Sequence, residues 1–346
     1  MTKTTRVMLA VLAACGASAA MAQSSVNLYG RVNTSIEHQK LGNSSATGMV
    51  SNSSFIGFRG TEDLGNGLKV GFILESRFAS DNGGNSMSFG RQSEVNLSGN
   101  FGTLRLGNFD SAAMYAINDP VSMHNHDSGT SADAFAGNYV QGGNKIAYVT
   151  PNFSGFTAEA QYQFGEKSLV DGEADSESKG GFDLALNYAN GPLAAGLGYS
   201  QAKNEYNLGA EKEKVSQYGG YAAYTVGDLT LAGYYQKQTN DDAGVKTKRD
   251  IYRLAAKYVI GASELHANFG RASKQKVDGV KIGESANQWT LAYNYNLSKR
   301  TKVYALYTNI NNTVSAGLAP RDEFNFSNTS NSDKFRAYGV GIRHLF

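Results

Sequence analysis

Val26-Asn27-Leu28-Tyr29-Gly30-Arg31-Val32-Asn33-Thr34-Ser35-Ile36 sets Val26, Leu28, Val32 and Ile36 against Asn27, Tyr29, Arg31, Asn33 and Ser35. A period of two places the two sets on opposite faces of an extended strand. The pattern returns along the chain. Leu68, Val70, Phe72 and Leu74 interleave with Lys69, Gly71, Glu75 and Arg77, and Trp289, Leu291, Tyr293 and Tyr295 with Gln288, Thr290 and Asn294. The last such segment sets Tyr338, Val340, Ile342 and Phe346 against Gly339, Gly341 and Arg343. Helical periodicity is almost absent.

About sixteen such segments can be counted, beginning near Val26, Phe55, Leu68, Ser86, Thr103, Lys145, Phe156, Phe182, Leu193, Val215, Leu229, Arg249, Ser263, Asn287, Thr301 and Phe335. Short connectors such as Glu62–Gly67, Gly99–Gly102, Ala189–Pro192 and Thr225–Asp228 alternate with longer polar ones. The longer set is Glu37–Ser53, Asn108–Asn144, Gly165–Gly180, Gln201–Lys214, Gln238–Lys248, Ala272–Ala286 and Asn311–Lys334. Short turns at one end and long loops at the other define an up-and-down outer-membrane barrel. Ten residues at ~3.3 Å, tilted about 40°, rise roughly 25 Å, the height of its apolar band. A soluble sandwich has no reason to sort its loops by length. The expected fold is all-β: a 16-stranded antiparallel transmembrane barrel with short periplasmic turns and long extracellular loops. Aromatics near strand ends, among them Tyr188, Tyr199, Tyr258, Tyr295, Phe164 and Phe346, suit the lipid–water boundary, although Tyr and Phe also simply favour strands.

Composition agrees. Of 346 residues, 40 are Gly, against a usual share of about 7%. No stretch after the N-terminus reaches the ~18 apolar residues that a membrane helix needs. The N-terminus itself reads as an address. Lys3 and Arg6 precede apolar Val7–Ala14, and Ala20-Met21-Ala22 forms a small-residue cleavage site, so residues 1–22 are expected to be a secretory signal and 23–346 a single barrel. Leu12-Ala13-Ala14-Cys15 also fits the pattern ahead of a lipidated cysteine, but the apolar run before it is short. Removing residues 1–22 removes Cys15, the only cysteine, and leaves basic and acidic side chains equal at 30 each. That balance argues against a nucleic-acid partner.

Five stretches carry a family likeness: Ser25-Val26-Asn27-Leu28-Tyr29-Gly30, Phe55-Ile56-Gly57-Phe58-Arg59-Gly60-Thr61-Glu62-Asp63-Leu64-Gly65-Asn66-Gly67-Leu68-Lys69, Phe101-Gly102-Thr103-Leu104-Arg105-Leu106-Gly107, Thr150-Pro151-Asn152-Phe153-Ser154-Gly155-Phe156, and Tyr338 to Phe346. Together they resemble the Gram-negative general porins of the neisserial and Burkholderia type. The resemblance implies a homotrimer in the outer membrane whose third loop folds into the pore. It also implies that terminal Phe346 is read by the barrel assembly machinery. In one place the chain departs from the family: Asn108-Phe109-Asp110-Ser111 stands where a Gly-Arg-Gln version with a basic side chain is commoner.

Lumenal parity on the early strands gathers Arg31, Arg59, Lys69, Arg77 and Arg105 into a basic wall, with Glu75 and Glu94 partly offsetting it. Arg91 follows the outward parity of Val95 and Leu97 and is left out of the wall. The Asn108–Asn144 connection is long enough to be functional. It carries Asp110, Asp119, Asp127 and Asp133, and Asp110 is positioned to cap a one-turn helix over Ser111–Ile117. Folded inward, these carboxylates would set a transverse field across the narrowest section, and charged walls select ions. The expectation is a passive channel for ions and small hydrophilic solutes with weak to moderate anion preference. The plainer reading, that these arginines only pair with acids to hold the barrel, is compatible with it.

Other motifs are weaker. His124-Asn125-His126-Asp127 reads as solvated rather than metal-binding. Asp171, Glu173, Asp175 and Glu177 alternate but lack the glycine and terminal glutamate of an EF-hand loop. Gly65-Asn66-Gly67 lacks the setting of a phosphate cradle and reads as a turn. No cofactor or metal is implied. A solute-specific channel would want a continuous lumenal track, and Tyr29, Tyr218, Tyr234 and Tyr304, read as inward, are scattered. An enzyme or adhesin barrel is the remaining alternative, with no catalytic grouping to support it. The expected partners are ions, small hydrophilic solutes, outer-membrane lipid and lipopolysaccharide, and further copies of the chain.

Overall fold

The computed structural model describes residues 25–84, 87–121, 135, 139–140, 142–170, 173–206, 211–311 and 334–346, with backbone alone at 25, 166–179 and 204–212 wherever these are described. Its strands form one closed antiparallel barrel of sixteen strands. Four of the sixteen are interrupted and made of two segments each: Ser44–Ser51 with Phe55–Gly65, Phe156–Gln163 with Glu166–Val170, Ser263–Ala272 with Gln275–Val277, and Val280–Ile282 with Ala286–Asn296. The ring closes where the last strand, Lys334–Leu345, pairs with the first, Ser25–Leu41, from Arg31↔Leu345 to Leu41↔Phe335. The terminal Phe346 extends that seam by exchanging backbone hydrogen bonds with Gly30 at 3.1 and 3.2 Å. Closure leaves no unpaired edge, as a hydrocarbon surround demands.

The alternation read from the sequence sorts the side chains onto two surfaces. Val26, Leu28, Val32, Ile36, Leu184, Leu197, Leu254, Leu291 and Val340 are exposed on the outer face. Asn33, Ser35, Glu37, Gln39, Gln217, Gln236, Gln288 and Thr290 are buried on the inner one. Apolar outside and polar inside is the pattern of a barrel solvated by lipid. Aromatic pairs such as Phe156–Tyr188, Phe182–Tyr199 and Tyr235–Tyr252 stand on the outer face.

Gly65-Asn66-Gly67 is a tight turn, with Asn66 and Gly67 both at positive φ (53° and 79°). That is the geometry of a two-residue hairpin matched to strand twist. At the other end several connectors expected as loops are strand instead. Leu229–Asp242 and Val245–Ile260 pair up to Asp242↔Val245, so Gln238–Lys248 is a hairpin. Likewise, Ser25–Leu41 and Ser44–Ser51 pair up to Leu41↔Ser44 through most of Glu37–Ser53. Hydrogen bonding continues above the lipid while the apolar alternation stops, so polarity marks the bilayer edge rather than the strand end. Two strands accordingly start earlier than the sequence estimate, at Glu173 rather than Phe182 and at Glu211 rather than Val215, whereas the fourth starts later, at Gln92 rather than Ser86, after a turn and the bend at Arg91.

The long third loop departs from the wall into the barrel. Helix α1, Ala112–Ile117, buries Ala112, Ala113, Ala116 and Ile117. It packs on the eighth, ninth and tenth strands, Glu173–Asn190, Leu193–Tyr206 and Glu211–Val226. A Cβ at Gly198 would lie 2.8 Å from the Ala113 carbonyl oxygen, and one at Gly196 would lie 2.5 Å from that of Ala116. Missing side chains on the inner wall thus form the seat of the helix.

Candidate functional site: the lumenal constriction

The site is built from two facing surfaces. One is the inner wall of the first five strands; the other is α1 and its flanks, seated about halfway round the ring. On the wall, Arg31↔Phe55↔Arg77 fall in one register row and Asn27↔Arg59 in another. Arg31, Arg59, Lys69, Arg77, Arg105, Glu75 and Glu94 all share the inner parity of Tyr29 and Asn33.

These side chains are not equivalent. Arg105 is clamped: its Nη2 donates to Glu94 Oε2 at 2.6 Å and its Nη1 to Glu159 Oε1 at 2.8 Å. Arg31 donates through Nε and Nη2 to the Ser53 carbonyl at 3.1 and 2.8 Å, holding the break in the second strand. Arg59 and Arg77 stay exposed to the lumen, as does Lys69, and the Arg59 guanidinium lies 4.8 Å from the centre of the Tyr29 ring. Glu75 accepts from Tyr29 Oη and from Arg91 Nε, both at 2.7 Å.

Arg91 therefore belongs to the wall, contrary to its sequence parity. It precedes the fourth strand, Gln92–Gly99, in a bend, so strand alternation does not reach it. Its guanidinium covers the Phe55 ring at 4.6 Å, a cation–π contact. Tyr218 is also corrected: it pairs with Tyr199 and Lys237 on the outer face and is half exposed.

Across the lumen, the expected cap of α1 is replaced by its neighbour. Ser111 Oγ accepts from Met114 N at 3.2 Å, whereas the Asp110 carboxylate accepts from Tyr115 Oη at 2.8 Å. The Tyr115 hydroxyl is pushed above its ordinary pKa, first by desolvation and then by Asp110 and Asp119, with Arg91 opposing. Asp110, Asp119 and Arg91 thus all lie in electrostatic range of one phenol, which brings loop carboxylates and wall cation to the same section. Asp127, Asp133, His124 and His126 lie outside the described residues, as does Asp171; of Glu173, Asp175 and Glu177 only the backbone is described.

The family departure at Asn108-Phe109-Asp110-Ser111 has a clear geometry. Phe109 is 1% exposed, with Arg105 4.2 Å and Lys145 5.6 Å from its ring centre. An aromatic ring here receives cations instead of adding one. The Lys145 ammonium donates to the carbonyls of Phe109 at 2.8 Å and Val140 at 2.9 Å, joining both ends of the loop. Further along, Phe135 sits against Gly270 with the Arg253 guanidinium 5.4 Å from its centre. Arg253 is held by Asn268 and Gln288.

The sequence reading missed a second basic group on the inner wall. Lys257, Lys302 and Arg343 share the inner parity. Arg343 lies in electrostatic range of Arg31 and Glu264, and Lys302 in range of Arg343 and Lys257. Glu264, the carboxylate among them, accepts from Asn294 (3.0 Å), Asn296 (2.8 Å) and Lys302 (3.3 Å), with His266 Nε2 at 3.2 Å. The barrel seam joins this group to Arg31. Alternation already placed Arg343 on the polar face; only the pairing of last strand with first was needed to add it to the wall.

A closed barrel with an apolar outer surface, a polar charged lumen and a loop folded across it defines a diffusion channel of the bacterial outer membrane. The chain belongs to the Gram-negative porin family, whose sequence profile matches residues 9–315. It is 36% identical over 374 residues to outer membrane porin protein 32 of Delftia acidovorans, covering 99% of this chain and 100% of that one. It is 32% identical over 402 residues to an outer membrane porin protein of Bordetella pertussis, covering 98% and 99%. Among solved structures, the anion-selective porin from Comamonas acidovorans superposes with a TM-score of 0.73 at 28% identity, over 93% of this chain and 100% of that one.

Proposed function

We propose that this porin passes ions and small hydrophilic solutes passively with a preference for anions. The observation that carries this reading is the arc Lys257, Lys302, Arg343, Arg31 and Arg59, which runs across the barrel seam with Glu264 as the carboxylate set among it. In a narrow water-filled section, fixed cations raise the local concentration of anions and lower that of cations. Arg59, Lys69 and Arg77 are the wall cations exposed to passing solute, whereas Arg105 serves structure through its two carboxylates. The acidic flank of α1, Asp110 and Asp119, completes a transverse field. The anion-selective Comamonas relative is consistent with this reading.

Export through cleavage after residue 22, assembly as a homotrimer, recognition of Phe346 during assembly and association with lipopolysaccharide complete the proposal. A solute-specific track finds less support, because Tyr234 and Tyr304 are buried and Tyr218 faces outward. The test is the zero-current potential of purified protein in a planar bilayer under a KCl gradient. An anionic sign that weakens in Arg31→Gln/Arg343→Gln supports the reading. A cationic sign, or no change in the double variant, overturns the selectivity and leaves the channel.

A further inference from the structure

The outer face carries its positive charge at one end. On the eleventh to thirteenth strands the outward positions run upward from Leu229, Ile260 and Leu265 through Tyr235 and Tyr252 to Lys237, Lys248 and Arg271. Register pairs Lys248 with Lys276, and Tyr252 with Arg271. At the upper ends of the third, fourth and fifth strands, the outward positions hold Ser76, Ser93 and Asn108 instead. The positive charge therefore favours one height of the outer face, where Lys203 also pairs with Lys214 and, at the seam, Lys40 with Arg336.

That height is set by the tyrosines. Tyr235 and Tyr252 pack at 5.2 Å between ring centres, where amphipathic rings mark the edge of the hydrocarbon. Lys248 stands four residues further up, ~13 Å along the strand, or about 10 Å of rise at a barrel's tilt. This is the layer of lipid headgroups. Here Lys237, Lys246, Lys248 and Lys276 line an open groove of about 410 Å³ together with Asp241, Asp250 and Asp278. The acids are engaged. Asp250 accepts from Tyr235 Oη at 2.8 Å and lies 3.8 Å from Lys237. Asp241 lies 3.7 Å from Lys246, and Asp278 accepts from Lys246 N at 3.0 Å. They hold Lys237 one step below, and Lys246 and the hairpin tip one step above, the level of Lys248 and Lys276, which stand side by side on paired strands. Two adjacent ammonium groups at one site call for a multiply charged anion.

We propose that this groove binds a phosphate of lipopolysaccharide in the outer leaflet, with Lys237, Lys246, Lys248 and Lys276 as its ligating side chains. The proposal deepens the lipid association given above and is independent of ion selectivity. A cytoplasmic leaflet attracts basic segments through anionic headgroups, and an outer leaflet of phosphorylated glycolipid does so at the opposite surface. The Tyr235–Tyr252 pair and Leu254 then meet the acyl chains directly below the phosphate.

The experiment titrates detergent-solubilised full-length protein with bis-phosphorylated lipid A, dephosphorylated lipid A and inorganic phosphate, reading bound lipid by native mass spectrometry. Lys237→Gln/Lys248→Gln/Lys276→Gln is compared with the parent and with lumenal Lys69→Gln. The expected result is at least tenfold weaker binding of phosphorylated lipid A in the triple variant alone, with single-channel conductance retained. Equal binding by parent and triple variant overturns the site. Equal binding of dephosphorylated lipid A by the parent, or full displacement by inorganic phosphate, overturns its assignment to a lipid phosphate. Those two arms use only the parent protein, and where the triple variant does not fold, Lys248→Gln/Lys276→Gln decides the site by the same comparison with the parent.

Discussion

The Lys145 ammonium donates to the Phe109 carbonyl at 2.8 Å from a position that is 2% exposed. It also reaches Val140, so the loop is fastened at its root by one buried cation. Asp183, fully buried on the neighbouring wall, lies in its electrostatic range. The constriction is therefore a docked element with a defined anchor.

Lys145→Met removes both bonds while keeping the aliphatic length. Hydrogen bonds to a charged group contribute ~1.5–3 kcal/mol each, and the uncovered carbonyls and Asp183 add to the loss. The loop should detach more often, giving noisier single-channel current and faster cleavage of the loop by added protease. The barrel, held by its closed backbone ladder, should keep its far-UV spectrum. Quiet current at parental conductance would show that the anchor is dispensable.

Arg59 and Arg105 separate selectivity from support. Arg59 faces the lumen over Tyr29, and at ~7 Å in a water-like dielectric one charge contributes about 0.6 kcal/mol to a passing ion. Screening at 0.1 M roughly halves that. Since anion and cation shift in opposite directions, Arg59→Gln should lower the anion-to-cation permeability ratio about two- to threefold with little change in thermal stability. Arg105→Gln leaves Glu94 and Glu159 without their shared partner, at a cost of about 1–3 kcal/mol. Zero-current potentials and heat-modifiability on gels distinguish the two variants.

Much of this was legible because a lipid-facing strand writes its orientation into every second residue. Arg31, Arg59, Lys69, Arg77 and Arg105 fall on the inner face by parity alone. Parity fails where regular pairing fails, as at Arg91 in a bend, and where glycines blur the alternation, as at Tyr218 before Gly219-Gly220. Lys302 and Arg343 were readable as polar-face residues, yet their place beside Arg31 depends on closure of the ring. The hairpins beyond the bilayer have no apolar face to announce them. The seat of α1 is tertiary: nothing local in Gly196 or Gly198 says that a helix from another part of the chain will lie there.

Gly198→Val tests that seat. The new Cβ would meet the Ala113 carbonyl oxygen at 2.8 Å and Ile117 Cγ1 at 2.8 Å. Overpacking of this kind costs about 1–3 kcal/mol, relieved here by moving α1 toward the lumen. Single-channel conductance should fall while the backbone fold is retained. An unchanged conductance would mean that the wall, rather than the helix, yields.

Tyr115→Phe addresses the acidic flank of the constriction. The Tyr115 hydroxyl donates to Asp110, and its pKa is raised by desolvation and then by the neighbouring carboxylates. Desolvation only disfavours the phenolate, so the stabilising part is the hydrogen bond to Asp110, which is fully present below the unfolded phenol pKa of about 10. That stability is lost as pH rises toward the folded value. The variant should therefore be less stable than the parent at neutral pH, with the difference shrinking in strongly alkaline solution. At pH 7 it also leaves the Asp110 carboxylate without this donor and so more available to lumenal cations. The permeability ratio should then move modestly toward cations, the same direction as Arg59→Gln but without removing a basic residue. Thermal unfolding between pH 7 and 11, with zero-current potentials at pH 7, checks both parts. A stability difference that grows with pH would contradict the assignment of the raised phenol.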